Sequence, residues 1–134
     1  MADKLNVRVT QDEIQFLMES GYLCRDSGRH QQAVDIFNGV AALLPGDPIP
    51  QAAIGSVLLA SGQVDEAIRQ LEGALKSFPE DPFTMAHLGE ALLCKKETAR
   101  AKDIFEHVLA KDPDGPGGVM ARSFLNFIAE ANRQ

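Results

Sequence analysis

The chain has 134 residues, of which 45% are hydrophobic and 24% are charged, and so large an apolar fraction excludes an intrinsically disordered chain. The formal net charge of −6 does not suit the phosphate contacts of nucleic-acid binding, so no nucleic acid is expected as a partner. Two cysteines make neither a disulfide framework nor a zinc site, and no apolar run is long enough to predict membrane insertion.

Residues 1–13 form a lead segment ahead of the periodic part of the chain. They contain no apolar h-region, which indicates that they are not a signal peptide, and the chain is therefore expected to be cytoplasmic. Leu5, Val7 and Val9 alternate with polar residues as in a β-strand. This pattern leaves open a disordered segment or one that adds to a partner.

The rest of the chain resembles itself when it is shifted by 34 residues, which indicates a repeat architecture. We infer three units, residues 14–47, 48–81 and 82–115. Five columns of matched residue type recur at this spacing, and they contain Gly21, Gly55 and Gly89; Ala33, Ala67 and Ala101; Phe37, Leu71 and Phe105; Val40, Ala74 and Val108; and Pro45, Pro79 and Pro113.

Each column has a physical reason. A glycine inside a helix costs about 1 kcal/mol relative to alanine, so three glycines at one phase predict a close approach of two helices. The alanine column is expected to supply the small residues opposite the glycines, and the Phe/Leu/Phe column the bulk of the shared core. The prolines end the second helix of each unit, because proline lacks an N–H and clashes with the preceding turn.

In the first unit, Thr10 and Glu13 have the spacing of a capping box, which predicts the start of a helix. This helix is expected to continue to about Asp26. Residues 27–29 then form a turn, and a second helix is predicted over about residues 30–44.

The second and third units begin in the same way. In each, Asp47-Pro48 or Asp81-Pro82 predicts an N-cap followed by proline at the first helical position. The turn of the third unit, residues 95–97, lacks the glycine that the other two turns contain.

Residues 116–134 are predicted to form a seventh helix that caps the last repeat, because a terminal repeat otherwise exposes its apolar face. Its apolar stripe is shifted by one residue from the 34-residue phase, and the loop 112–118 can absorb the extra residue. The expected stripe consists of Met120, Phe124, Phe127, Ile128 and Ala131.

This pattern resembles the tetratricopeptide repeat, a helix–turn–helix unit of 34 residues, over about residues 14–115. The glycine, small, large and proline positions of that family match. Its Trp and Tyr positions differ here, since the first repeat has Leu17 and Cys24 in their place. The resemblance implies an all-α fold: a right-handed α-solenoid of three repeats plus the capping helix, with the first helix of each repeat on the concave face.

The same resemblance places a set of first-helix positions in the concave groove. The middle repeat then supplies an apolar floor with small residues, so a protein or peptide ligand with apolar anchors is expected. A charge at Ala52 or Ser56 is expected to abolish partner binding without unfolding the repeat. Core packing remains the alternative for four large side chains, Met18, Leu59, Phe83 and Leu93. The predicted groove residues are Gln15, Met18, Tyr22, Arg25, Ile49, Ala52, Ser56, Leu59, Phe83, Ala86 and Glu90.

The groove lacks the Lys and Asn residues with which some members of that family hold the acidic C-termini of heat-shock chaperones. Met18, Tyr22 and Ala52 occupy those positions here. A carboxylate clamp of that type is therefore not expected.

No constellation for catalysis, metal or cofactor binding is found, so an enzyme is not expected. His30, His87 and His107 are isolated in the sequence, and each is expected to be solvated. For His87, near the rim of the groove, contact with a ligand is the less favoured alternative. Cys24 is expected to be a buried free thiol and Cys94 a partly exposed one.

The only local basic cluster lies in residues 95–102, where we favour a solvated turn over a docking site. Lys95 and Lys96 follow Cys94 in the sequence. A reactive thiol at Cys94 is the less favoured interpretation.

Two function classes remain open. Residues 28–37 and 61–68 resemble repeats of the chaperones of bacterial type III secretion, which implies a small module that holds an exported protein. The alternative is a structural scaffold or oligomerisation module, such as a homodimer, that associates through its N-terminal segment and the cap helix.

Overall fold

The computed structural model describes residues 8–134, and within them it has seven α-helices and no β-strand. The predicted all-α class is therefore confirmed. The alternation at Leu5 and Val7 lies outside the described residues, and the division into units of 34 stays a prediction. The helices are α1 (Gln11–Asp26), α2 (His30–Leu43), α3 (Ile49–Ala60), α4 (Val64–Ser77), α5 (Pro82–Cys94), α6 (Thr98–Lys111) and α7 (Pro116–Asn132).

Helix α1 begins with the predicted capping box. The hydroxyl of Thr10 accepts a hydrogen bond from the backbone N–H of Glu13 at 3.0 Å, and the Glu13 carboxylate accepts one from the N–H of Thr10 at 3.0 Å. These two bonds satisfy two backbone donors that a helix start otherwise leaves without a partner.

The two Asp-Pro starts differ by one residue. Asp81 is the N-cap of α5, and its side chain accepts from the N–H of Thr84 at 2.9 Å. At α3 the expected position was wrong by one residue, because the helix begins at Ile49 and Pro48 precedes it. Pro48 already has helical dihedral angles, and Asp47 still accepts from the N–H of Ile49 at 2.9 Å.

The glycine column marks close helix contacts, as predicted. A Cβ added at Gly21 would lie 2.5 Å from the ring of Phe37, and one at Gly89 would lie 2.5 Å from the ring of Phe105. The expected partner was wrong, because the nearest atoms belong to these bulky side chains and not to the alanine column. Each glycine therefore makes room for the large residue that fills the core of its own repeat.

The helix pairs are joined by tight turns that require a left-handed backbone. Gly28 and Gly62 both have φ of 81°, a conformation that costs glycine nothing. Lys96 takes the corresponding place in the third turn with φ of 68°, which is strained for a residue with a Cβ.

The helices stack in sequence order, each packing on the next, and α7 packs on both α5 and α6. This placement makes α7 the cap of the last repeat. Its apolar stripe was predicted only in part: Ile128 is buried, but Phe127 is 62% exposed and Ala131 is exposed as well. Ala121, which the expected stripe left out, is fully buried.

Candidate functional site

One face of the molecule is built from the first helices of the repeats and from α7. Helix α1 contacts α3, α3 contacts α5, and α5 contacts α7, so α7 takes the place of a fourth first helix. Three depressions that contain predicted groove residues lie along these helices. We refer to them as the central, amino-terminal and edge pockets.

The central pocket has a volume of about 470 Å³ and crosses all four of these helices. Four predicted groove residues meet there, and five further residues complete the lining. The predicted residues are Arg25, Ser56, Leu59 and Glu90, and the others are Ala60, His87, Cys94, Met120 and Phe124.

The other predicted residues lie elsewhere. The amino-terminal pocket, of about 290 Å³, is lined in part by Gln15, Met18, Tyr22 and Ile49, together with Val40 of α2. Phe83 lines the edge pocket, which follows the starts of α3, α5 and α7 and has a volume of about 550 Å³. The structure thus divides the predicted residues among separate depressions.

Ala52 and Ala86 line no described pocket, because both side chains are fully buried beneath the surface. A charge at Ala52 would therefore be buried without a partner, and it is expected to unfold the repeat. The effect of such a charge on folding and on partner binding stays a prediction. Ser56 lines the central pocket but is only 6% exposed, and its hydroxyl donates to the carbonyl of Ala53 at 2.6 Å.

Arg25 is held in place by three neighbours at the end of α1. Its Nε donates to the Asp26 carboxylate at 2.8 Å and its Nη1 donates to the Ser56 hydroxyl at 3.1 Å. The guanidinium also lies 4.9 Å from the centre of the Tyr22 ring, in cation–π contact. Burial raises the pKa of Tyr22, and the Arg25 charge partly opposes that rise. The side chain is thus positioned before any ligand arrives.

His87 and Glu90 form the opposite polar wall. The expectation of a solvated His87 was wrong, because this side chain is only 6% exposed. Its Nδ1 lies 3.1 Å from Glu90 Oε1, and its ring packs edge-on against Phe83 with centres 4.6 Å apart. A carboxylate only accepts, so Nδ1 carries the hydrogen of this bond.

Met120 and Phe124 bring the cap helix into the pocket, and the sequence reasoning did not place them there. Phe124 stacks on Phe105 of α6 with ring centres 5.1 Å apart, which fixes the rotation of α7. The signal was present in the sequence as an apolar stripe. It indicated burial, but it did not indicate which part of the stripe would line a cavity.

The cysteine and lysine residues near this site have ordinary roles. Burial, and then the charge of Glu90, raise the pKa of the Cys94 thiol, which opposes formation of a reactive thiolate. Lys95 donates to Asp65 at 2.8 Å, and Arg100 lies 3.6 Å from both Glu72 and Glu97. Much of the basic cluster is therefore neutralised by carboxylates on its own surface.

Cys24, expected to be buried, is only partly so. It packs beside the cluster formed by Phe37 and its neighbours. His107 is exposed as predicted and hydrogen-bonds Glu80 at 2.8 Å, whereas His30 is partly buried at the start of α2.

The described residues 8–134 contain no cluster of three or more His, Cys, Asp or Glu side chains with which to hold a metal ion. None of the helices described combines the length and the apolar character that a membrane crossing needs.

Comparison with known proteins gives one matching family model. It is described as tetratricopeptide repeat and matches residues 25–88 and 58–122. No curated protein matches the chain.

Solved structures with the same fold come from different organisms. PcrH of Pseudomonas aeruginosa is 17% identical, with a TM-score of 0.70 over 97% of this chain and 98% of that one. The Yersinia enterocolitica type III secretion chaperone SycD, in complex with a peptide of the translocator YopD, is 22% identical, with a TM-score of 0.67 over 93% and 95%. The first repeat domain of Spaghetti (RPAP3), bound to an HSP90 peptide, is 19% identical, with a TM-score of 0.67 over 96% and 100%. At these identities the likeness concerns the fold.

Proposed function

The chain belongs to the tetratricopeptide repeat family, and from this premise we propose that it is a non-catalytic module that holds a segment of a partner protein on its concave face. The central pocket carries the proposal, because it joins the first helices of all three repeats and the cap helix in one depression of about 470 Å³. It combines apolar side chains with a few fixed polar groups, as peptide and ligand sites do. The peptide complexes of SycD and of the Spaghetti domain support the same use of the fold.

The proposal is tested by filling the pocket without disturbing the core. Ala60 lies at the end of α3, is exposed and lines the central pocket, so Ala60→Arg adds a long side chain where no buried group must move. Binders are first selected from a random dodecapeptide library displayed on phage. Their affinity, measured by fluorescence anisotropy, should fall at least about tenfold in Ala60→Arg.

Ala110→Arg is the matched control, because Ala110 is exposed on α6 and lines none of the described pockets. This variant should bind as the wild type does, and circular dichroism should show equal helix content in all three proteins. Equal affinity of Ala60→Arg and wild type would overturn the central pocket as the binding site.

We further propose that the partner is an exported subunit of a secretion system, held before its export. The fold likeness to SycD and PcrH, and the apolar part of the pocket wall, support this role. Co-purification from the organism that encodes the chain should capture such a subunit on the wild type and not on Ala60→Arg. If the wild type, but not Ala60→Arg, captured subunits of an unrelated assembly, this secretion role would be contradicted. The proposal of a binding module would then remain.

Self-association as a scaffold or homodimer is the second candidate function. It is favoured by large apolar side chains on the outer face of α1, where Phe16 is 66% exposed and Leu23 is 70% exposed. Light scattering of the pure protein should then show a dimer that Phe16→Glu converts to a monomer. A monomer at all concentrations would contradict self-association and would leave the proposed binding of a partner segment unaffected.

A further inference from the structure

Two side chains of opposite formal charge line the central pocket, Arg25 on α1 and Glu90 on α5, and Arg25 also forms an ion pair with the exposed Asp26. On α1, two of the five N–H groups of the Arg25 guanidinium are used by Asp26 and Ser56. The other three find no acceptor in the part of the chain that the structure describes. Because Ser56 and Tyr22 hold the group in place, these donors are already arranged for a ligand carboxylate.

On α5, Glu90 is fixed by its neighbour. His87 donates to Oε1 of Glu90, which leaves Oε2 of the carboxylate without a donor among residues 8–134. The Glu90 side chain is 31% exposed, so a ligand can reach it. A partly buried carboxylate of this kind suits the ammonium of a lysine or the guanidinium of an arginine.

Apolar side chains line much of the rest of the pocket, with α3 between α1 and α5 and with α7 on the far side of α5. Leu59 of α3 and Met120 and Phe124 of α7 line the same depression as Arg25 and Glu90. Side chains of this size can pack against one apolar residue of a bound segment.

We propose that the central pocket is selective for a peptide segment with one apolar side chain between an acidic and a basic residue. The acidic residue binds Arg25 on α1, the basic residue binds Glu90 on α5, and the apolar residue packs on Leu59 of α3, which lies between these helices. This rests on the proposed function and assigns the chemical class of its ligand. Adjacent helix axes are about 8–10 Å apart, so α1 and α5 are separated by at most about 20 Å. An extended peptide covers that span in about six residues, which limits the spacing of the two charges.

The experiment determines the order in which acidic, apolar and basic residues occur along the selected peptides. The random dodecapeptide library on phage is selected on the wild-type chain and on the double variant Arg25→Glu, Glu90→Lys. Wild-type selections should enrich acidic, apolar and basic residues in one order within about six positions. The double variant should enrich the reverse order, since its two charges are exchanged.

A second charge exchange serves as the control. Arg69 and Glu66 form an exposed ion pair on α4 and line none of the described pockets, so Arg69→Glu with Glu66→Lys makes the same exchange away from the site. Peptides selected on this control should match those of the wild type. For single peptides, affinity should fall at least about tenfold in Arg25→Glu and should be partly kept in Arg25→Lys, which retains the charge without the planar fork.

The outcomes separate this inference from the proposed function. Selected peptides that compete for the pocket and are weakened by Ala60→Arg, but show no charge order, would overturn the charge assignment and leave the binding module intact. Peptides that Ala60→Arg does not weaken would overturn the proposed site, and the ligand class with it.

Discussion

Helices α1 and α5 occupy the same place in their repeats, two repeat lengths apart, yet their surroundings differ. Phe16 and Leu23 of α1 are mostly exposed, whereas Thr84 and Ala91, at the equivalent positions of α5, are fully buried. The cause is the neighbour on the preceding side, because α4 packs on α5 and no described helix precedes α1. The position in the repeat therefore does not determine burial by itself.

Within each repeat the two helices behave alike. Gly21 faces the ring of Phe37 as closely as Gly89 faces the ring of Phe105. Both rings are fully buried. The contact inside a unit is thus a property of the repeat, and the contact between units depends on which helix comes before. In a solenoid, stability is in this way a sum of unit and interface contributions.

The largest difference in stability is expected when a charge is placed at equivalent positions of α5 and α1, on the face that packs against a preceding helix in α5 only. Ala91→Asp buries a carboxylate without a partner and should lower the free energy of unfolding by about 3–5 kcal/mol. Leu23→Asp at the equivalent position of α1 should change it by less than about 0.5 kcal/mol, because that side chain is solvated. Urea unfolding followed by circular dichroism measures both values.

A large loss for Leu23→Asp would contradict this difference. It would mean that the outer face of α1 is covered in solution. Repeating the measurement at several protein concentrations separates the causes, because a dimer gives a stability that depends on concentration.

The glycine column gives the second effect. Gly89→Ala gains about 1 kcal/mol of helix propensity but forces the Phe105 ring to move, so a net loss of about 1–2 kcal/mol is expected. Gly21→Ala should lose less, since α1 is packed on fewer sides and can shift away from Phe37. Gly39→Ala, with nothing within 4 Å of the added Cβ, should instead stabilise by up to about 1 kcal/mol. Thermal unfolding of the three variants gives the order, and a loss for Gly39→Ala would contradict the packing argument.

The sequence predicted what depends on local signals. Thr10 with Glu13 located the start of α1, and the recurring glycines located the contacts within each repeat. These features depend on residues close along the chain, whose spacing is visible in the sequence. The start of α3 was wrong by one residue because Pro48 has helical dihedral angles without belonging to the helix.

The candidate site was predicted less completely because it depends on neighbours distant in sequence. His87 packs edge-on against Phe83 of its own helix. It also lines a pocket to which residues of α7 contribute. Met120 and Phe124 enter that pocket because stacking on Phe105 sets the rotation of α7. An irregular loop precedes α7, so the 34-residue period could not be extended to these positions.

Helix caps give the third effect. Asp81→Ala should cost about 2 kcal/mol, because the Asp81 carboxylate accepts from both the N–H and the hydroxyl of Thr84, and Thr84 is fully buried. Thr10→Ala should cost about 1 kcal/mol, since its cap is exposed and only the first turn of α1 depends on it. Urea unfolding measures the two losses, and a larger loss at Thr10 would reverse the expected order.

The cap of α1 also predicts a pH dependence. The hydrogen bonds from Thr10 lower the pKa of Glu13 below its ordinary value of 4.5. A carboxyl whose pKa is lowered in the folded state contributes stability above its unfolded pKa, and that contribution is lost as the pH falls through the folded pKa. Wild-type α1 should therefore lose protection from hydrogen exchange as the pH falls below about 4.5, after correction for the intrinsic exchange rate. Glu13→Gln keeps a side-chain acceptor for the N–H of Thr10 but cannot titrate, so it should lack this component, and an unchanged profile in that variant would contradict the assignment to the capping box.

The smallest effect lies in the turns that follow the two helices. Gly28 follows α1 with φ of 81°, whereas Lys96 follows α5 with φ of 68° and carries the strain of a Cβ in the left-handed region. Lys96→Gly removes that strain but adds freedom to the unfolded chain, so a net gain of about 0.5 kcal/mol is expected. Lys96→Ala keeps the strain while it removes the charge, and its stability should equal that of the wild type. Gly28→Ala should lower the free energy of unfolding by about 1 kcal/mol, because it gives the first turn the backbone strain that the third turn already carries. If Lys96→Ala stabilised the protein as much as Lys96→Gly, the gain would come from the lost charge, and backbone strain would not distinguish the two turns.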